Sequence, residues 1–139
     1  MSRKYRAIVV GEVAEPAARI EAPIGRDPKH RQRMAVVRDG REAITEFRRI
    51  GLAPGHALLE VSLGTGRTHQ IRVHLAYIHH PVLGDSVYGR RSPLIARPAL
   101  HAQSLTLRHP RTGKAMSFES PTPKDFDLAW NSLTARTMR

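Results

Sequence analysis

Residues 56–64, HALLEVSLG, alternate apolar and polar side chains with a period of two: Leu59, Val61 and Leu63 face one way, Glu60 and Ser62 the other. Successive strand side chains point to opposite sides, so this pattern predicts a strand with one face on a core. The period changes after a glycine turn. In HQIRVHLAYI, residues 69–78, Ile71, Leu75 and Ile78 recur at i, i+4 and i+7 and predict an amphipathic helix, with Thr68 as its N-cap. KYRAIVVGEV has the β-branched density of a partly buried strand and closes at the turn AEPA; ARIEAPI is a short strand stopped by Pro23. MAVV and EAITEFRRI are expected as strands around RDGR, where Asp39-Gly40 signals a hairpin. GLAPG is a further turn, and HHPVLGDSVYGRRSP reads as loop. ALHAQSLTL and AMSFES are expected as strands around HPRTGK, and PKDFDLAWNSL as a terminal helix. Strands with two helices, and no repeat or long linker, give a single α+β unit.

The turn between the predicted strand and helix carries an unusual inventory. GTGRTHQIRVH, residues 64–74, holds two glycines, two arginines, two histidines, two threonines and a glutamine. Zinc-binding helices set two histidines four apart with a carboxylate between them. His69 and His74 are five apart, roughly 140° around a helix, with no carboxylate between, which argues against a metal. A Walker loop needs different spacing and a lysine, and a dinucleotide fingerprint needs a third glycine at the helix start. The segment does bring backbone N–H groups and Arg67 to a helix N-terminus, where anions are favoured. His69 and Arg72 share a helix face away from the apolar stripe. That places Arg72 at the rim of a cleft, where an arginine needs a carboxylate or phosphate partner.

Charge points the same way. The chain has 139 residues, 23 Lys plus Arg against 12 Asp plus Glu, and a net charge of +11. Such an excess attracts RNA, DNA or an anionic membrane through counterion release. GRDPKHRQRM, residues 25–34, concentrates Arg26, Lys29, His30, Arg31 and Arg33 in a loop suited to clamping phosphates. A membrane surface fits less well, because no predicted helix sets a wide apolar face opposite a basic one. Cysteine is absent, which removes disulfides, thiolate metal sites and a thiol nucleophile. The apolar run AIVV near the start is too short for a signal peptide, so a cytoplasmic location is expected.

The stretch LLEVSLGTGRTHQIRVHLAYIHHPVLGDSVYG, residues 58–89, strongly resembles the RluA/RluD-like family of RNA pseudouridine synthases. The likeness continues through RPALHAQSLTLRHPRTGKAMSFESPTPKDF, residues 97–126, and upstream through EAITEF and EAPIGRDP to KYRAIVVG. It implies the α+β pseudouridine synthase fold: a mostly antiparallel or mixed β-sheet with a few helices. It also implies an isomerase that converts uridine to pseudouridine in ribosomal or other structured RNA, transfer RNA included. No cofactor or metal is implied, since side chains carry the chemistry.

In that family an aspartate in an HRLD-type motif attacks a flipped uridine, and the base is detached and rejoined through carbon. By resemblance, Tyr5 of KYRA stacks on the base, Ile71 of HQIR walls the pocket, and Arg72 pairs with the catalytic aspartate. Arg67, Thr68, His69 and Gln70 form a polar shell that braces the cleft and meets RNA, with Arg26, Lys29, Arg31 and Arg33 as backbone contacts.

The departure from the family lies in the nucleophile. No RLD occurs in the chain, and none of Asp27, Asp39, Asp85, Asp125 and Asp127 inherits the role by position; Asp85 matches a family loop. Residues 1–139 are therefore expected to be the C-terminal part of the catalytic domain, without the part that bears HRLD, and inactive alone. A chain or segment carrying that motif is an expected partner. A sheet edge and an open core face are expected where it would dock, making the chain prone to associate. Two alternatives stay open: a non-catalytic RNA-binding remnant, and one half of a split synthase.

Overall fold

The structure is a computed structural model and describes residues 2–135. Ten elements follow one another: β1 Ser2–Val10, β2 Ala17–Glu21, β3 Ile24–Arg26, β4 Met34–Val36, β5 Ile44–Ala53, β6 His56–Leu63, α1 Gln70–Tyr77, β7 Leu100–Arg108, β8 Ala115–Glu119 and α2 Lys124–Ala135. Six of the strands form one sheet in the order β2-β5-β6-β1-β7-β8, and β3 and β4 form a separate pair. Every one of these pairings is antiparallel.

The apolar run in β1 has a simple cause. Ala7, Ile8 and Val9 are each 0% exposed, although they point alternately to both sides of the sheet. Both faces at the centre of the sheet are therefore covered. Register identifies the covers. Tyr5 sits opposite Val61, which sits opposite Phe47, so the three share one face. Thr45, two residues before Phe47, shares that face and bonds to side chains of α1. On the other face, a Cβ placed on Gly51 would lie 2.9 Å from the Trp130 ring of α2. Glycine at 51 thus lets α2 lie close against the sheet, where Phe126, Ala129 and Leu133 join the core.

Among the described residues, β2 and β8 are the sheet edges, each paired on one side only. Phe118 of β8 is 53% exposed, and it opens on a groove shared with Tyr5.

The expected hairpin at Asp39-Gly40 does not form. β4 pairs with β3, and β5 pairs with β2 and β6. A two-residue hairpin turn of that kind needs positive φ, and Gly40 has none. Its glycine is required for proximity instead: a Cβ there would meet the backbone of Ile24 at 2.6–2.8 Å. Reciprocal bonds of 2.9 Å between Ile24 and Arg41 fasten this turn across β3.

Candidate active site on the glycine turn and its helix

Residues 64–69 join β6 to α1 and are fixed by side chains rather than by a cap. The N-cap residue is His69, in the left-handed region at φ 53°, with no side-chain cap bond. Thr68 is exposed and does not take the capping role expected of it. Gln70 does the work of holding the turn. Its Oε1 accepts from the Thr65 hydroxyl at 2.7 Å and the Arg67 N–H at 2.9 Å; its Nε2 donates to Ile44 O at 2.8 Å and Thr45 Oγ1 at 3.0 Å.

Gln70 is 2% exposed and fully bonded, so it braces the turn from within, the bracing part of the role expected of it. Its neighbour in the network, His74, is 0% exposed. His74 Nε2 lies 2.9 Å from Ala22 O, an acceptor only, so Nε2 carries the proton. Nδ1 then accepts from the Thr45 hydroxyl at 2.7 Å. Burial holds His74 below the ordinary histidine pKa, against the opposing effect of the Ala22 carbonyl, and keeps the ring neutral.

Arg72 finds its carboxylate in Asp85. Nε and Nη2 donate to the two carboxylate oxygens at 2.7 and 3.0 Å, a bidentate pair. Asp85 is 0% exposed and also accepts from the N–H groups of Val87 and Tyr88, each at 3.1 Å. Burial alone would raise its pKa; the Arg72 bonds first, then these N–H groups, outweigh burial and hold it below the ordinary carboxylate value. Arg72 is correspondingly raised, chiefly by its bonds to Asp85.

Tyr88 completes the cluster. Its ring centre lies 5.1 Å from the Arg72 guanidinium carbon, a cation–π contact. Its hydroxyl accepts from the Met34 N–H at 3.0 Å and bonds His69 Nδ1 at 2.9 Å. Burial, then the nearby Arg72 charge, lowers the pKa of His69. Arg72 is thus held by Asp85 along one edge and by Tyr88 over one face, while its Nη1 has no hydrogen-bond partner among the described residues. A second carboxylate or a phosphate has one open edge at which to bind.

The remaining expected residues are dispersed. Ile71 is 4% exposed in the core, and half-buried Tyr5 packs against the same cluster. No hydrogen bond, ion pair or ring contact among the described residues joins Tyr5 to Arg72. Tyr5 instead opens on a groove of about 380 Å³ with Arg3, Ala102, Leu105 and Phe118. The basic loop connects β3 to β4. Arg26, Lys29 and Arg31 are exposed there, but Arg33 is committed to Asp27 at 3.0 Å and to Val87 O at 3.2 Å. Arg33 pins the loop to Val87 while its side chain stays 39% exposed. Arg67 keeps a rim position, with Nε bonded to Glu42 O at 2.7 Å.

Sequence reasoning missed Asp85 and Tyr88 as members of this site. Its one available signal was the unmet need of Arg72 for an acid, with Asp85 the nearest aspartate after it in the chain.

Comparison with known proteins gives a consistent picture. Residues 1–77 match the family described as RNA pseudouridylate synthase. An uncharacterized RNA pseudouridine synthase of Chloroflexus aurantiacus is 49% identical over 138 residues, 98% of this chain and 43% of that protein. Ribosomal large subunit pseudouridine synthase D of Nitrosomonas europaea is 47% identical over 134 residues, 90% of this chain and 39% of that protein. The structure of human RNA pseudouridylate synthase domain containing 1 superimposes with a TM-score of 0.76 at 28% identity, over 88% of this chain and 55% of that one. The chain spans less than half the length of these curated relatives.

Proposed function

The chain belongs to the RNA pseudouridylate synthase family, and from that premise we propose that it supplies one part of a site that isomerises uridine to pseudouridine. The carrying observation is Arg72, held bidentately by Asp85 and over the face of the Tyr88 ring, with Nη1 left without a partner among the described residues. In this reading the open edge receives the nucleophilic aspartate, or the charge that develops as the uridine base leaves. Tyr5 stacks on the flipped base and Ile71 supports the pocket from the core. The names of the synthase D relatives favour ribosomal RNA as the substrate, and a cytoplasmic location is part of the same proposal.

The nucleophile is the missing role within these 139 residues. Asp85 is sealed by four hydrogen bonds. Asp27 is held by Arg33 and by N–H groups of its own loop, Asp125 by Arg97, and Asp127 by the Thr122 hydroxyl. Asp39 lies in the turn beside Gly40, away from Arg72 in sequence and in bonding. We therefore propose that these residues turn over substrate only with an HRLD-bearing segment supplied.

Tritium release from RNA labelled at uridine C5 tests this directly. The expected result is no release by the chain alone, release when an HRLD-bearing segment from a related synthase is added, and loss of that release in Arg72→Ala. Release by the chain alone refutes the missing-nucleophile reading. RNA binding without release in either mixture favours a non-catalytic RNA-binding protein, a reading the charge of +11 supports equally.

A further inference from the structure

Three grooves on this surface adjoin one another. The first, about 380 Å³, is lined by Tyr5 and Phe118 and ends at Arg3. The second, about 340 Å³, runs from Arg3 across Leu63 and Gly64 to Gly66. The third, about 510 Å³, starts at Gly66 and passes Arg67 to Arg41 and Arg26. Arg3 lines both of the first two and Gly66 both of the last two, so the three are neighbours on the surface.

The two ends differ in chemistry. The first groove offers aromatic faces: Tyr5, and Phe118 at 53% exposure. Every nucleobase has a π-face, so exposed rings bind single strands with little regard to sequence. The third groove has no aromatic ring. Three arginines line it, set against one acid, Asp39, and its walls include Gly25, Gly40 and Gly66. A Cβ on Gly66 would meet nothing within 4 Å, so the backbone there is open to close approach. Arg41 is exposed, and its side chain has no partner among the described residues. Bare backbone rimmed by guanidinium groups suits a phosphodiester chain and not a base.

We propose that these grooves form a track for one RNA strand, with bases stacked at the Tyr5–Phe118 end and the sugar-phosphate backbone gripped at the Arg26–Arg41–Arg67 end. It rests on the RNA reading above and adds Phe118 and Arg41 as contacts. Gly66, where a Cβ would meet nothing, then leaves room for the strand to cross the turn directly over its backbone, alongside the helix that carries Arg72.

The test is binding of a fluorescent single-stranded oligouridylate by the full chain over a salt series, with Arg41→Ala, Phe118→Ala and Arg111→Ala. Arg111, in the turn between β7 and β8, is an exposed charge off the track and controls for net charge. Arg41→Ala is expected to weaken binding and to lower the slope of log affinity against log salt by about 0.7, one phosphate of a single strand. Phe118→Ala is expected to weaken binding about fivefold or more with the slope unchanged, the loss of one stacked base. Arg111→Ala should match the unchanged chain, and all variants should keep its circular dichroism. If both track variants behave like Arg111→Ala while the chain binds RNA, the track is wrong and the RNA reading stands. A loss at one end only overturns the continuous path, and equal affinity for duplex RNA overturns the single-strand assignment. If the unchanged chain shows no salt-dependent RNA binding, the RNA reading falls and the track with it.

Discussion

At the residue scale, the site depends on groups that are held in one protonation state. His74 is neutral because it is buried, no acid among the described residues bonds it, and its two nitrogens are already assigned, one donating to Ala22 O and one accepting from Thr45. Its folded pKa lies below the ordinary 6.5. The unfolded chain therefore takes up this proton first as pH falls, so the contribution to stability is complete above about pH 6.5 and is lost on descending toward the folded value. Urea unfolding at pH 7.5 and pH 5.5 is expected to show a lower midpoint at the acid pH, with a smaller difference in His74→Gln. An equal difference in that variant would assign the effect to other histidines. Asp85 behaves oppositely in range: its folded value is depressed below 3.8, so its pairing with Arg72 is lost only on descending through that acid region. The need of Arg72 for an acid was legible from its place beside an apolar stripe. That the acid is Asp85, thirteen residues on and sealed by two backbone N–H groups, follows only from where the 79–99 loop returns.

At the element scale, strands and helices were legible wherever their pattern is local. β6 and β1 read correctly because a period of two survives any choice of partner. Helix α1 read correctly in extent, within a residue at each end. Its start did not, because Gln70 organises the turn through Ile44 and Thr45, twenty-five or more residues away in sequence. The pairing of β4 was misread for the same kind of reason. Asp39-Gly40 has hairpin composition, yet the turn folds back onto Ile24 instead of bending β4 onto β5. Gly40→Ala is therefore expected to cost about 2 kcal/mol in urea unfolding, since its Cβ would press on backbone that cannot yield. Gly66→Ala, where a Cβ meets nothing, should change stability by less than about 0.5 kcal/mol. Equal effects at the two positions would remove the packing explanation.

At the scale of the whole molecule, an exposed edge strand carrying Phe118 competes with a net charge of +11. Like charge keeps copies apart at low salt, and screening removes that protection within about 10 Å at 0.1 M salt. Sedimentation is expected to show species larger than the 15.6 kDa monomer that grow with salt, and Phe118→Ser should reduce them. A cooperative monomer at low and high salt alike would mean that the edge is adequately protected by its own charge and twist. The sequence by itself determined the α+β class, most of the strands, the net positive charge and the family, because periodicity, charge and contiguous motifs are properties of neighbouring residues. Only the tertiary structure decided that Gln70 is buried, that Arg33 is a tether, that Arg72 rests between Asp85 and Tyr88, and that Arg3 and Gly66 each line two neighbouring grooves. Each of those depends on which distant segments meet, and a hydrogen bond or a groove wall exists only once they do.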